Sequence, residues 1–350
     1  MKRRKLVFLA TEDWFVQSHF LPLVRRALAE EFEVVVWARD SGALAGEAGI
    51  RVINANFERR SLLPWDLRRQ AADLGQMLAR ERPDVIHAIA LKPILLLLQT
   101  RYKSAGRVLA LTGRGFLAAG AHPLKRALSA GVRTMLRRAL GERATLALVE
   151  NQEDGRWIAD AAARDRVLLM PGAGVDPEIF PVSPEPATAV VIAVLSRLIR
   201  SKGVDLAVHA LRALRAEGVD VSLLIGGTAD RQNPDSYSDS ELESWRQTPG
   251  VAMVGRVSDV PAFWRGAHIA CLPSRGGEGL PRVLLEAAAC ARPIVTSDAP
   301  GCSDFVGGDQ IGIVTPRGDV KALTDALRRL ALDAELRRCM GEARRAKIIE

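Results

Sequence analysis

From end to end, short apolar stretches of four to six residues alternate with longer ones in which apolar positions recur every third or fourth residue. That alternation is the signature of a parallel sheet whose strands are joined by crossover helices. It predicts strands at Lys5–Ala10, Glu33–Trp37, Asp84–Ile89, Arg107–Leu111 and Ala144–Val149, and a second series at Val190–Leu195, Val221–Ile225, Val251–Val254, Ile269–Leu272 and Pro293–Thr296. Between the two series stands Pro-Val-Ser-Pro-Glu-Pro, residues 181–186, which is polar, stiff and incompatible with a helix. A chain of 350 residues exceeds one ordinary core and suits two domains. The expected organisation is therefore residues 1–180, a hinge at 181–186, and residues 187–350.

Composition narrows the class. Hydrophobic residues make up 48% of the chain, yet no apolar run approaches the roughly 20 residues of a membrane span. Met-Lys-Arg-Arg-Lys followed by Leu-Val-Phe-Leu-Ala imitates a leader, but its apolar part is shorter than the usual 7 to 15 residues, roughly, so it reads as a basic first strand and the protein as cytoplasmic. Cys271, Cys290, Cys302 and Cys339 match no zinc or redox spacing and are expected to be reduced thiols. No Asp-x-Asp pair is present, so neither a metal nor any other cofactor is expected. Charge is uneven: residues 1–150 hold 25 Lys and Arg against 14 Asp and Glu, whereas residues 151–350 hold 24 against 27. The basic half has few aromatics to stack bases and no reading motif, which argues against nucleic acid. An anionic membrane face or a lipid pyrophosphate fits better. Residues 123–140 supply one basic amphipathic helix, with Leu124, Leu128, Val132, Met135 and Ala139 on one stripe and Arg126, Arg133 and Arg137 opposite. It suits a core-packed helix or a membrane-contacting one.

The chemistry concentrates in Ser-Arg-Gly-Gly-Glu-Gly-Leu-Pro-Arg-Val-Leu-Leu-Glu, 274–286, where Glu278 and Glu286 stand eight apart. Pro281 suits the first turn of a helix, and the amides of Gly279 and Leu280 would then lie at a positive helix terminus, a cradle for a diphosphate. The carboxylates are acceptor-only groups, suited to hydroxyls of a ribose and a hexose. Upstream, Arg197 and Lys202 follow an apolar strand; alone they would read as a solvated basic loop, but beside this block they are placed to neutralise a departing diphosphate.

The run from Leu272 to Cys302, with Ser-Arg-Leu-Ile-Arg-Ser-Lys-Gly at 196–203, resembles the retaining family 4 glycosyltransferases. That resemblance implies the GT-B fold: two Rossmann-like α/β domains facing across a cleft. It implies that Glu286 holds the ribose, that Glu278 contacts the donor sugar, and that Arg197 and Lys202 replace a metal. Arg256 and Val257 would lie against the base. In the first half, Ser-His-Phe-Leu-Pro-Leu (18–23), Asp-Val-Ile-His (84–87), Leu-Lys-Pro (91–93), Leu-Thr-Gly-Arg-Gly-Phe (111–116) and Glu-Asn-Gln-Glu-Asp (150–154) are similar to bacterial transferases that build polysaccharide repeat units on a lipid carrier. His19, His87, Lys92, Gly113 and Arg114 are the acceptor-site candidates, both histidines being equally compatible with packing roles. Departures occur at Thr228-Ala229-Asp230 and at Ser303, where the family carries Gly-Asp and Arg. Family members usually continue with a helix that crosses back to the first domain, whereas the sequence given stops at Ala-Lys-Ile-Ile-Glu. The implied reaction moves a hexose or N-acetylhexosamine, UDP-linked, to a sugar on a polyprenyl diphosphate at the inner membrane face. A transferase with a soluble acceptor and an inactive nucleotide-sugar-binding subunit are the alternatives. A Rossmann dehydrogenase is disfavoured, because Ala10-Thr11-Glu12-Asp13 stands where a glycine-rich turn would be.

Overall fold

The computed structural model describes residues 3–55, 64–117, 123–142, 144–159, 163–170, 172–231, 233, 235–307 and 311–349. The chain divides into two compact units, Met1–Ala173 and Gly174–Glu350. In unit 1, strands β1 (Lys5–Glu12), β2 (Glu33–Arg39), β3 (Ile50–Asn54), β4 (Val85–Ile89), β5 (Gly106–Leu111), β6 (Thr145–Val149) and β7 (Val167–Leu169) form one sheet in the order β3-β2-β1-β4-β5-β6-β7. Its pairings are all parallel, with register such as Val7 opposite Val35 and Phe8 opposite His87. Parallel neighbours need crossovers, which α1 (Asp13–His19), α2 (Leu21–Ala29), α3 (Pro64–Glu81), α4 (Leu91–Gln99), α5 (Pro123–Leu140) and α6 (Gln152–Ile158) provide.

Unit 2 repeats the plan with β8 (Val190–Leu195), β9 (Val221–Gly226), β10 (Val251–Gly255), β11 (Ile269–Leu272), β12 (Ile294–Ser297) and β13 (Ile313–Thr315), ordered β10-β9-β8-β11-β12-β13 and again parallel. Its helices are α7 (Val204–Ala216), α8 (Asp239–Arg246), α9 (Val260–Arg265), α10 (Arg282–Ala289), α11 (Pro300–Val306), α12 (Val320–Leu332) and α13 (Ala334–Ile349).

Why the central strands read as unbroken apolar runs follows from burial on both faces. Val7 and Leu9 enter the core shared with α3 and α4, while Phe8 and Ala10 enter the one shared with α1 and α2. In unit 2, Ile192 and Val194 pack with α7 and α12, whereas Ala193 faces α10 and α11. In each sheet the strand order reverses at the first strand, so a crevice opens at the carboxyl ends of β1 and β4 and of β8 and β11, where such sheets bind ligands. Among the described residues, no helix is long and apolar enough to cross a membrane.

The proline-rich stretch 181–186 lies within unit 2 and is fastened to it at three points. Arg292 Nη2 donates to Ser183 Oγ (2.6 Å) and to the Pro184 carbonyl (3.2 Å). Arg337 grips both oxygens of Glu185 at 2.8 Å. His268 accepts from the Val191 amide at Nδ1 (3.0 Å), which leaves Nε2 protonated and donating to the Pro186 carbonyl (3.1 Å).

Helix α5 departs from its sequence reading. Val132 and Ala139 are buried with Leu136 and Leu140, but Leu128 is 47% exposed, and the side chain of Leu124 lies outside the described residues. Nor is its arginine face simply solvated: Arg137 turns onto the end of α6, donating to the carbonyls of Ile158 (3.2 Å) and Ala159 (3.1 Å).

Candidate active site

The β8-to-α7 connection, residues 196–203, is built to meet a second loop. Leu198 and Ile199 are buried anchors, and a 3-10 turn, Arg200–Lys202, ends at Gly203 with φ 70°. A Cβ at Gly203 would stand 2.0 Å from the carbonyl oxygen of Pro273, so only glycine lets the β11-to-α10 loop approach this closely. The two loops are then laced together. The Arg275 amide donates to the Ser201 carbonyl (2.7 Å), as does Ser274 Oγ (3.2 Å). The Arg275 guanidinium takes both oxygens of Asp205 at 2.8 Å and the Arg200 carbonyl at 2.7 Å, and Tyr237 donates its hydroxyl to the same Asp205. Burial works to raise the Asp205 carboxyl, but the hydrogen bonds from Arg275 and Tyr237 outweigh it and hold it below the usual range. This clamp brings Lys202 Nζ to 2.5 Å from Glu278 Oε1, with side chains only 16% and 12% exposed; Ser274 Oγ lies 3.2 Å from that same oxygen, its single proton shared between it and the Ser201 carbonyl.

Glu278 follows Gly276 (φ 121°) and Gly277 (φ 80°), two consecutive backbone conformations that side-chain-bearing residues rarely adopt. Helix α10 begins one residue later than expected: Pro281 sits at the cap with φ −66° and ψ 115°, so the first helical amides belong to Arg282 and Val283, and Gly279 and Leu280 precede the helix. From below, the start of α11 supports the loop, since a Cβ at Gly301 would fall 1.3 Å from the Gly279 carbonyl oxygen. Glu286 lies in the second turn of α10, 9% exposed. Burial pushes its carboxyl up to about 7, against the pull of Arg282. Arg282 Nε stands 3.0 Å from Glu286 Oε1, but its N–H is aimed elsewhere and finds no acceptor among the described residues, so the pair is a charge contact rather than a hydrogen bond.

Arg197 is separate from the Lys202–Glu278 pair. It is 49% exposed and its Nη1 lies 3.3 Å from Asp230 Oδ2. Past β10, Arg256 is exposed, whereas Val257 packs on Gly226, where an added Cβ would meet Val257 Cγ2 at 2.8 Å. Among the described residues, no group of three His, Cys, Asp or Glu is arranged to hold a metal.

In unit 1 the candidates scatter. His87, 4% exposed on β4, stacks on Phe8 (centroids 5.3 Å apart) and meets Phe20 edge-on; its Nε2 has no partner among the described residues, and burial depresses its pKa to about 4. It is a packed neutral histidine. His19 ends α1, half-buried, stacked on Phe15 at 4.4 Å, with Ser18 Oγ 2.6 Å from Nδ1. Lys92 is half-buried in the first turn of α4. Gly113 has φ 103°, and Arg114 beside it is engaged structurally. Arg114 Nε donates to Asp154 Oδ1 (2.6 Å), its Nη2 bonds Glu153, and its guanidinium lies over the Trp157 ring at 5.6 Å. Asn151 caps α6 by accepting from the Asp154 amide at 2.7 Å, and burial raises the Asp154 carboxyl despite Arg114. Two runs singled out in the sequence, 111–116 and 150–154, thus meet.

Sequence reasoning missed Asp205, Arg275 and Tyr237, whose clamp depends on pairings across 32 and 70 positions. It also missed Asp13, fully buried, which accepts from the Ser41 amide (2.9 Å), Ser41 Oγ (2.6 Å) and the Ala43 amide (3.0 Å). An acidic residue directly after an apolar first strand was the available signal.

Two family models match the chain: Glycosyl transferase 4-like over residues 5–149, and Glycosyl transferases group 1 over residues 189–333. The capsular polysaccharide biosynthesis glycosyltransferase CapM of Staphylococcus aureus is 27% identical over 158 residues, 45% of this chain and 41% of its own length. The amylovoran biosynthesis glycosyltransferase AmsK of Erwinia amylovora is 29% identical over 169 residues, 45% of this chain and 40% of its own. The matched part is thus under half the length of these curated relatives. Among solved structures, Anabaena Alr3699/HepE in complex with UDP and glucose superposes with a TM-score of 0.78 at 18% identity, over 99% of this chain and 95% of that one. With one glycosyltransferase model on each unit and two parallel α/β sheets that match GT-B structures, the chain belongs to the GT4-like, group 1 glycosyltransferases.

Proposed function

We propose that the protein is a metal-independent retaining glycosyltransferase of cell-surface polysaccharide synthesis, moving a hexose or N-acetylhexosamine from a UDP-sugar to a sugar on a polyprenyl diphosphate. The observation that carries this reading is the Lys202–Glu278 pair, held 2.5 Å apart by two interlocked loops at the carboxyl ends of β8 and β11 and followed within eight residues by buried Glu286. CapM and AmsK support the pathway by their names, and HepE supports the donor by its bound UDP and glucose.

In this reading Glu286 accepts from the ribose hydroxyls and Glu278 from the donor sugar. The bond between C1 and the diphosphate breaks, the acceptor oxygen bonds to C1 from the same face, and its proton passes to the departing diphosphate. Charge grows on that diphosphate, and Lys202 and Arg197 are the cations placed to stabilise it; a preorganised group of this kind is worth about 3 to 4 kcal/mol of barrier. The basic unit 1 keeps the protein against an anionic membrane face where the lipid-linked acceptor resides.

The test is transfer from a UDP-sugar panel to a lipid-linked sugar with and without EDTA, together with calorimetry of UDP binding. Turnover that survives EDTA, falls in Glu278→Gln with UDP affinity kept, and loses UDP affinity in Glu286→Gln is the expected result. A strict need for a divalent ion, or equal loss of UDP affinity in both variants, overturns the assignment of roles.

A further inference from the structure

Unit 1 holds a cavity of about 420 Å³ between α5 and α6, lined by Leu117, Arg126, Ser129, Ala130, Arg133 and Trp157. Arg126 and Arg133 stand seven residues apart, two turns and roughly 10 Å along the helix axis, so they project from one face. Ser129 and Ala130 lie between them on that same face. Neither guanidinium has a carboxylate or carbonyl partner among the described residues. Their neighbours differ: Arg137, one turn on, is engaged by the carbonyls of Ile158 and Ala159, and Arg114 by Glu153 and Asp154. The other wall is apolar, formed by Leu117, 7% exposed, and the ring of Trp157. The volume falls inside the range of roughly 300 to 1,000 Å³ typical of small-molecule sites.

We propose that this groove binds the phosphate or diphosphate head of an amphipathic lipid, with Arg126 and Arg133 as the anion ligands and Trp157 and Leu117 against the first carbons of its chain. Guanidinium forks match phosphate oxygens two at a time, and Ser129 adds a hydroxyl donor. Two uncompensated cations call for an anion carrying more than one charge, and the Trp157–Leu117 wall calls for carbon beside it. A polynucleotide would present many phosphates to two cations and one aromatic ring. The inference rests on the lipid-linked acceptor proposed above and gives its head group a binding place outside unit 2.

Calorimetry on the full chain, with UDP saturating so that the nucleotide site is filled, tests it with farnesyl diphosphate, inorganic pyrophosphate and farnesol as probes. Farnesyl diphosphate is expected to bind the parent, pyrophosphate at least tenfold more weakly, and farnesol without saturation. Arg126→Ala and Arg133→Ala are each expected to weaken farnesyl diphosphate at least tenfold, and the double variant to abolish it, while UDP affinity, which reports folding, stays unchanged. Equal binding by parent and double variant overturns the groove, and if transfer to a lipid-linked sugar persists there, the proposed function stands. Pyrophosphate binding as tightly as farnesyl diphosphate overturns the apolar half, and farnesol binding as tightly overturns the anionic half. No binding of farnesyl diphosphate by a parent that still binds UDP overturns the groove and, if transfer then proceeds only to soluble sugars, the lipid-linked acceptor with it.

Discussion

The crevices at the strand-order reversals of the two units occupy equivalent places in two sheets of the same topology, yet the charges that furnish them are engaged differently. In unit 2, eight residues separate β8 from α7; they carry Lys202 to Glu278, in the loop that turns at Gly276 and Gly277, and Arg197 to Asp230. In unit 1, β1 ends at Glu12 and α1 starts at Asp13 with nothing between. Both of those carboxylates are buried and already engaged, Glu12 by Arg39 and Asp13 by Ser41 and Ala43. Burial alone would raise the Asp13 carboxyl; the hydrogen bonds from Ser41, Ala43 and Trp14 more than reverse it, so the group stays ionised and structural. A doubly wound sheet thus fixes where a site can form, and loop length decides whether charges there face a ligand or the backbone.

The sharpest break of this contrast is at Gly301. Its Cβ would overlap the Gly279 carbonyl, so Gly301→Ala should cost about 3 kcal/mol or more and abolish UDP binding, while Gly42→Ala in unit 1, with φ 82° but open space, should cost about 1 kcal/mol. Thermal unfolding and calorimetry on both proteins check it. Next, Lys202→Ala should lower the transfer rate by about 10² to 10³, whereas Asp13→Asn should lower the melting temperature and leave UDP affinity alone. Equal effects of the two on the rate would erase the distinction between the crevices.

A smaller effect concerns pH. The Glu286 carboxyl titrates near 7 in the folded chain against 4.5 for an ordinary glutamate. Because the folded value is raised, the contribution to stability is complete below pH 4.5 and is lost as pH rises through 7; Glu286→Gln should therefore gain stability on the parent at pH 8, by up to about 3 kcal/mol, and not at pH 4. A ribose needs the ionised form, so UDP affinity of the parent should climb up to about tenfold per pH unit below 7 and level off above it, with no such slope in Glu286→Gln. Smallest of all, Ala90 stands at the β4-to-α4 junction with φ 70° and ψ 166°, a conformation strained for any residue but glycine. Ala90→Gly should stabilise unit 1 by about 1 kcal/mol without changing UDP binding, as chemical denaturation would register.

The strand series was legible because buried parallel strands write themselves as apolar runs: all ten expected strands are present, with ends shifted by a residue or two. The three that escaped are edge strands. β7 exposes Leu168 and Leu169 at 47% and 55%, β3 carries no fully buried residue, and β13 has three residues, so none shows a clean period. Glycines and charges in residues 274–286 marked a loop that runs into a helix, and the structure has that loop and helix, because left-handed backbone and a helix start have recognisable residue requirements. What the chain could not disclose was pairing across distance. Lys202 meets Glu278 across 76 positions, and Arg114 is held by residues 39 and 40 further on, contacts set by how strands stack rather than by local pattern. His87 was open from the sequence to an acceptor-site or a packing role, and its strand carries it into the core.

The thiols of this chain amount to a built-in stopwatch. Cys271 on β11, Cys290 at the end of α10 and Cys302 in α11 are shut away around the loop that bears Glu278, while Cys339 on α13 is open to solvent. Burial pushes the first and third up to about 12 and Cys290 up to about 11, so at neutral pH these three are both protonated and out of reach. A thiol-reactive dye added to the unmodified protein should consume exposed Cys339 first, slowed by the hydrogen bond to Glu335 that raises its thiol, and the three buried thiols far later, those phases counting the openings of the elements that cradle the loop. Whatever closes that loop, a nucleotide or a sugar, would be heard as a lengthening of those phases, with no residue altered.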